Sequence, residues 1–485
     1  MEHRKINQLQ NSERLTFYLL LLMMLLQTSW LCAMWFTGAT NSTKVPVLIA
    51  YTLLVGLFVL FLPARCQQHL TSWRDQTARR PVRWMIGLSI GVFLIGILYA
   101  IFQRIWPFDE EMSHAASKLI AEEGLRVFFH QYPQLGWLGA QHPPLVVLIN
   151  GFVYDLVGVN LVYARIVTLL FAIGILVLTY QLGRLFYNRT TGVLAAVSMA
   201  SFPLFLRLGT TSMLDIQVTF FALLGLYFGV IALRNQSYRQ AIAAGFALGF
   251  GLVTKYTMLL MAPIVLCYFV LQRRLMQTFP RLMIIASCAT LILFVWLGFA
   301  YSQGILAAQQ ERLNWFAGHM TRPQKVTQQI AASQGHTASK APQVRAEKKP
   351  KIQHTVSFFR LRVKYGTRVA LETLLTRLPS ALGVYAIPIM ALGLVAFWKR
   401  RGWTEWFILA WIVLIWVPLL LTLPDHRYFM LSFPALALLA AHGLQATSDR
   451  MMQVLLLALL YCGGSLYLFV DWSRGTHLFL NQIVR

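Results

Sequence analysis

Residues 84–116 read WMIGLSIGVFLIGILYAIFQRIWPFDEEMSHAA. The stretch from Trp84 to Gln103 carries no charge and is long enough for a helix to cross a hydrocarbon core of ~30 Å. Three consecutive carboxylates, Asp109, Glu110 and Glu111, follow its end. An uncharged run that stops at an acid cluster is a membrane helix meeting water, with chemistry-bearing side chains placed at the boundary. That reading decides the class: a polytopic, all-α membrane protein. A β-barrel would instead show alternating segments of about ten residues.

The rest of the chain repeats the pattern. It is 57% hydrophobic with a mean hydropathy of +0.59, beyond the usual soluble range. Apolar runs predict spans at 16–36, 45–63, 84–103, 144–157, 161–182, 191–207, 215–233, 240–254, 256–272, 281–300, 379–397, 404–423, 427–446 and 452–470. The expected fold is a bundle of about 12–14 transmembrane helices, with amphipathic surface helices in the extracytoplasmic loops. The run at 16–36 is too long, and too poorly followed by a cleavage site, for a removable signal peptide.

The net charge of +25 does not indicate nucleic acid. The basic residues are spread over short loops between spans, as the positive-inside effect requires. Arg4 and Lys5, then Arg65, Arg74, Arg79, Arg80 and Arg83, place the N-terminus and the 64–83 loop in the cytoplasm. The acid cluster then emerges on the extracytoplasmic side. Continuing the count leaves a conflict. GRLFYNRT (183–190) looks cytoplasmic, yet two full spans between 144 and 182 would put it outside. The 144–157 segment is short and starts at Pro143-Pro144, so a dip or a surface-lying helix would resolve the parity. The five cysteines form no C-x-x-C pair and indicate neither a disulfide framework nor a zinc site.

The chain divides into two leading helices (1–83), a core (84–300) with a first extracytoplasmic loop at 104–143, a long extracytoplasmic loop (301–378) and a C-terminal group of helices (379–485). Within the long loop, 321–355 is rich in Gln, Ala, Lys and Pro and has a disorder composition. Short amphipathic helices are expected at 305–318 and 356–368.

Candidate site residues gather at span ends. Met112, Ala115, Ala116, Leu119 and Ile120 fall on one helical face, predicting an amphipathic surface helix that Asp109 begins. Asp109 can cap that helix, but capping does not account for Asp-Glu-Glu at a membrane boundary. His142 precedes Pro143-Pro144, and a turn there has no need of an imidazole. Asp215 opens a span and is the sole acid between Asp155 and Glu311. It is either an N-cap or a functional carboxylate. Lys255 stands between two apolar runs, where it can snorkel or hold a phosphate as a point charge. Asp425, His426, Arg427 and Tyr428 lie at another span end. There Arg427 can bind phosphate in bidentate fashion and Tyr428 can anchor at the interface.

In order, the acid pair Asp109-Glu110, His142-Pro143-Pro144-Leu145, ARIVTLLFAIGILVLTYQLGRLFYNRTTG (164–192), Leu214-Asp215, Thr254-Lys255 and Arg427-Tyr428 with Pro434 resemble the GT-C fold membrane glycosyltransferases. The pattern is similar to the protein O-mannosyltransferases and the aminoarabinose (lipid A) transferases, across 84–300 and more loosely 379–446. The resemblance implies transfer of a sugar from a polyprenyl-phosphate donor to an extracytoplasmic lipid, glycan or protein acceptor, with inversion. It implies Asp109 as general base, Glu110 and Asp215 as its acidic companions, and His142, Lys255, Arg427 and Tyr428 around the donor phosphate; His426, beside Arg427 at the same span end, is a further candidate for substrate binding. Glu111 extends the usual acid pair, and Gln141 stands where some lipid A transferases have an acid. No cofactor is implied with certainty, although acids near Asp109 leave room for a divalent cation. Two other classes fit the boundary charges: a transporter or flippase for a lipid-linked or anionic substrate, and a noncatalytic binder of a lipid head group. A transporter predicts charges buried mid-span and repeated halves, whereas the charges singled out here sit at span ends and no halves repeat.

Overall fold

The computed structural model describes residues 2–36, 44–63, 79–103, 105–106, 109–135, 142–271, 275–307, 370–421, 425–446 and 451–467, with scattered positions between 66 and 77. The expected polar loop at 321–355, the helix expected at 356–368 and all but residues 305–307 of the helix expected at 305–318 lie outside the described residues. Among those described, the elements are helices and no strand forms. They are α1 (Glu2–Phe36), α2 (Lys44–Leu60), α3 (Pro81–Phe102), α4 (Asp109–Gln131), α5 (Leu145–Val157), α6 (Leu161–Phe186), α7 (Arg189–Ala200), α8 (Pro203–Gly209) and α9 (Leu214–Arg234). They continue as α10 (Tyr238–Leu252), α11 (Met261–Leu271), α12 (Leu275–Ser302), α13 (Leu378–Leu382), α14 (Ile387–Arg400), α15 (Trp403–Leu421), α16 (Phe433–Ala446) and α17 (Met451–Tyr467).

Seven described helices are long and apolar enough to cross a membrane, or up to nine if each of two bent pairs counts as one span. The bent pairs are 189–200 with 203–209 (74°) and 370–382 with 384–400 (87°). The two breaks touch: the buried Tyr385 hydroxyl donates to the Ser201 carbonyl at 2.7 Å. Gly383, at φ +79°, supplies the left-handed residue that the second bend requires. The shorter apolar helices at 44–60, 256–271 and 452–467 run between the same two ends of the bundle.

Side-chain contacts settle the direction of each helix. Arg165, near the start of α6, reaches Glu110 of α4, so α6 starts at the end of the bundle that carries the acid cluster. At the far end, Arg234 of α9 donates to the Leu185 carbonyl, and Arg281 of α12 donates to Gln236. His442 of α16 packs its ring on Tyr187. Helix α5 resolves the parity conflict. Its Asn150 donates to Ser212 Oγ at 3.1 Å, and Tyr154 Oη lies 2.8 Å from His114 Nδ1 of α4. Both partners belong to the acid-cluster end, so α5 lies across that end and does not span. GRLFYNRT then falls at the opposite end, with Asn188 capping α7 by accepting the Thr191 N–H.

The two leading helices pack on the last one. The Tyr51 hydroxyl donates to the Leu460 carbonyl at 2.9 Å, and the Tyr461 hydroxyl returns a bond to Thr52 at 3.1 Å. Helices α14 and α16 approach most closely at Gly393 and Gly443. A Cβ on Gly443 would strike the Ile389 carbonyl oxygen, and one on Gly393 would strike that of Leu439. Small residues at a crossing let helix backbones meet, the main source of helix association inside a bilayer. Gly443→Val is therefore expected to lower stability by about 1–3 kcal/mol, measured as the thermal unfolding midpoint of the purified protein in detergent. An unchanged midpoint would contradict this crossing.

Candidate active site

Four segments converge at the acid-cluster end: the start of α4, the loop before α5, the 210–215 turn into α9, and the 253–256 turn after α10. The 425–428 segment closes the group. Each is positioned by hydrogen bonds that its own sequence makes possible.

Glu110 holds the first segment. It is fully buried, and both oxygens accept from Arg165, Nε to Oε1 and Nη2 to Oε2, each at 2.8 Å. The Ser212 N–H adds a bond to Oε1 and the Trp106 N–H one to Oε2, both at 2.8 Å. Arg165 spends another donor on the Ala100 carbonyl at 2.6 Å. A buried, forked pair of this kind ties the end of α3, the start of α4, α6 and the 212 turn to one point. Glu110 therefore sits beside the cleft as its anchor, with both oxygens already engaged.

Asp109 points the other way, into a cleft that it lines with Ser113, Ser212, Asp215 and Lys255. Its carboxylate pairs with Arg427 Nη1. Asp215, buried at the start of α9, accepts from Lys255 Nζ at 2.6 Å, and the Lys255 ammonium lies 4.4 Å from the centre of the Tyr428 ring. Arg427 is shared. Asp425 accepts from its Nη2 at 2.9 Å and from its backbone N–H at 3.0 Å, while Asp109 takes the remaining fork. Burial alone would push the Arg427 guanidinium down, but Asp215, Asp425 and Asp109 together hold it above its ordinary range. Burial would raise Asp425, yet its contacts with His426 and Arg427 outweigh that and hold it well below the usual carboxylate range. Both stay charged near neutral pH. His426 Nδ1 lies 3.2 Å from Asp425 Oδ1, at a poor angle for a hydrogen bond, so Arg427 is the main partner of Asp425.

His142 is buried in the loop before α5, where its carbonyl accepts the Tyr132 hydroxyl. Burial, then the Lys255 and Arg427 charges, hold its imidazole well below the ordinary value. His142 is thus neutral in the folded protein at physiological pH. The sign follows: as pH falls below about 6.5, the unfolded chain takes a proton that the folded chain refuses, and stability drops. Thermal unfolding in detergent at pH 7.5 and pH 5 is expected to show a larger acid loss for wild type than for His142→Gln. Equal losses would contradict the assignment.

All the residues expected from the sequence at this end come together. Asp109, Asp215, Lys255, Arg427 and Tyr428 form one connected set, Glu110 and His142 border it, and His426 faces an adjoining groove. The buried face of α4 is rotated from the expected stripe. Ala116 and Ile120 are buried, Met112 and Leu119 half-buried and Ala115 exposed, while Glu110, Ser113 and Ser117 are buried instead. The reason is that this face packs on α5 rather than on lipid. The Ser117 hydroxyl donates to the Ser113 and Val147 carbonyls, and Ile120 lies over Gly151 so closely that a Cβ there would clash. Gly124, at φ +84°, kinks the helix beyond that contact. Among the described residues, no group of three or more His, Cys, Asp and Glu side chains is placed to hold a metal ion. The acids of this cleft are each paired with a cation instead.

Sequence reading missed Arg165, Arg207 and Trp106. The Trp106 ring lies 4.1 Å from the Arg207 guanidinium and 5.5 Å from that of Arg427. Arg165 carried a readable signal, a charge inside an apolar run. Arg207 carried the same signal at the end of the 191–207 run; Trp106 carried none, because its meeting with Arg207 depends on the bend between α7 and α8. Arg207 also borders an open groove between α1, α8 and α13, with Arg377 and His426 on its lining and Trp30, Met34 and Leu204 along its apolar wall.

Residues 141–299 match the family model of dolichyl-phosphate-mannose-protein mannosyltransferases. That segment includes His142, Asp215 and Lys255 and leaves out Asp109 and Arg427. No curated protein sequence matches the chain. Among solved structures it is similar to ArnT from Cupriavidus metallidurans in the apo state (TM-score 0.48, 15% identity, 74% of this chain and 59% of that one). It is also similar to ArnT bound to undecaprenyl phosphate (TM-score 0.45, 15% identity, 75% and 60%). A third likeness is to the oligosaccharyltransferase of Archaeoglobus fulgidus (TM-score 0.45, 13% identity, 77% and 53%). The chain thus spans about three fifths of the length of ArnT.

Proposed function

We propose that this multi-pass membrane protein is a GT-C type glycosyltransferase that moves a sugar from a polyprenyl-phosphate donor to an extracytoplasmic acceptor, with inversion. The observation that carries the reading is the pairing of Asp109 with Arg427 beside the Asp215–Lys255 pair, at a cleft lined by Asp109, Asp215 and Lys255. A carboxylate within reach of an acceptor hydroxyl removes its proton as the oxygen attacks the anomeric carbon. The bond from that carbon to the donor phosphate breaks, and the phosphate leaves with the electron pair. A leaving phosphate that is already anionic needs fixed positive charge more than a proton, and Arg427 and Lys255 supply it. Asp425 and Asp215 hold those two cations in place, while Tyr428 fixes the Lys255 ammonium over its ring.

The Asp109–Arg427 contact also implies an order. With Arg427 engaged, the Asp109 carboxylate is occupied. A donor phosphate that draws the guanidinium to itself frees Asp109, so the base is exposed when the donor is seated. The groove lined by Arg207, Arg377 and His426 suits a polyprenyl chain, with basic side chains toward its phosphate. Placement of the site outside the cytoplasm is supported by short connections at the opposite end, which carry Arg79-Arg80, Arg184, Arg189, Arg234, Arg239 and Lys399-Arg400-Arg401.

The test is mass spectrometry of envelope lipids, glycans and proteins with and without this gene, joined to assay of the purified protein in proteoliposomes with a labelled polyprenyl-phosphate sugar. Loss of one glycosyl modification, restored by wild type, supports the reading. Movement of the labelled lipid across the bilayer with no transfer would favour a flippase.

A further inference from the structure

At the end of the bundle opposite the candidate site, α3, α7 and α17 leave an open apolar groove. Its walls are aliphatic, from Leu88 on α3, Val193 and Val197 on α7, and Leu455 and Leu459 on α17. Its rim is of another kind. Trp73 and Trp84 meet edge to face at 5.6 Å, and Arg83 and Gln76 line the same mouth. Arg79 and Arg80 are exposed in the same turn, and among the described residues no acid pairs with any of these three arginines. Paired tryptophans mark the level where a bilayer meets water, and unpaired arginines at that level attract anionic headgroups.

We propose that this groove holds an anionic phospholipid from the leaflet opposite the candidate site, with one acyl chain between α3, α7 and α17. Its phosphate rests at Arg83, Gln76 and the neighbouring Arg80. The commitment to a lipid rests on the apolar wall continuing directly from a cationic rim, a match for a molecule with both parts. Space favours it as well: Gly87 lines the groove, and a Cβ there would meet nothing within 4 Å. The site is also placed to influence the opposite end. Helix α3 continues into Gln103, which is hydrogen-bonded to Thr210 Oγ1 at 2.9 Å, and into the Trp106–Glu110 anchor. Helix α7 continues through its bend into α8 and Arg207. A lipid wedged between α3 and α7 therefore braces the two helices whose other ends carry site residues.

The experiment is native mass spectrometry of the full chain released from vesicles of equal phosphatidylglycerol and phosphatidylcholine content. Wild type is expected to retain phosphatidylglycerol preferentially. Arg83→Ala is expected to reduce that preference about five-fold, and Gly87→Trp to abolish retention by filling the groove. Arg14→Ala, on α1 outside the groove, serves as the charge control and is expected to behave as wild type. Thermal unfolding in detergent verifies that each variant is folded, and Gly87→Leu replaces Gly87→Trp if the latter is not. Equal retention of the two lipids by wild type would overturn the proposal, as would unchanged phosphatidylglycerol retention in folded Arg83→Ala and groove-filled variants. Because the readout is lipid retention, it stands or falls independently of glycosyl transfer.

Discussion

Asp109→Asn is expected to abolish sugar transfer while leaving a folded, membrane-inserted protein. The substitution keeps the shape of the side chain and removes its charge and basicity. A positioned general base contributes about 10²–10⁴-fold, so the variant should lose at least that much in transfer rate. The fold should survive because Arg427 keeps its bonds to Asp425, and Asp109 is not part of the Glu110–Arg165 anchor. The measurement is initial rate of transfer from a labelled polyprenyl-phosphate sugar in proteoliposomes, with circular dichroism and thermal unfolding as the folding control. Donor binding, read by retention of the labelled lipid, should persist or tighten, since Arg427 no longer has Asp109 as a competitor for the phosphate. Wild-type transfer by the Asn variant would remove Asp109 from the role of base.

Glu110→Ala carries the second large effect, and it falls on stability. The deletion strands Arg165, which is 2% exposed on its side chain, and unpairs the Ser212 and Trp106 N–H groups. Breaking a buried ion pair from one side costs about 3–5 kcal/mol, seen as a lowered unfolding midpoint in detergent. The double variant Glu110→Met/Arg165→Met should recover much of that loss, because replacing both partners removes the uncompensated charge. It should not recover transfer, because Asp109 and the 212 turn lose their common anchor. A single variant as stable as wild type would show that the pair does not hold this end of the molecule together.

These two neighbours show what could be read from the sequence. Asp109 and Glu110 are adjacent in the same DEE after a span, and the resemblance assigns both to chemistry. Helical geometry separates them: Asp109 faces the cleft and Glu110 faces Arg165. The 100° between successive residues is known in advance, but which direction faces the cleft depends on where α6 lies. The same cause rotated the buried face of α4 from the expected stripe toward Ser113 and Ser117. The apolar spacing suits a lipid-facing stripe, and in the structure α5 takes the place of lipid. The parity conflict around 144–182 was visible as a conflict and soluble only through the Asn150–Ser212 and His114–Tyr154 contacts.

The sequence by itself determined that this is a helical membrane protein with its ionisable groups at span ends, because apolar run length and charge position depend on transfer free energies that act residue by residue. It also singled out Asp109, Asp215, Lys255 and Arg427, since a charge at a membrane boundary is costly wherever the chain goes next. Only the tertiary structure decided which carboxylate meets which cation. Asp109 and Arg427 lie 318 residues apart, and Asp215 and Lys255 lie 40 apart. Such pairings are set by how bent and straight helices pack, and no local pattern encodes a crossing.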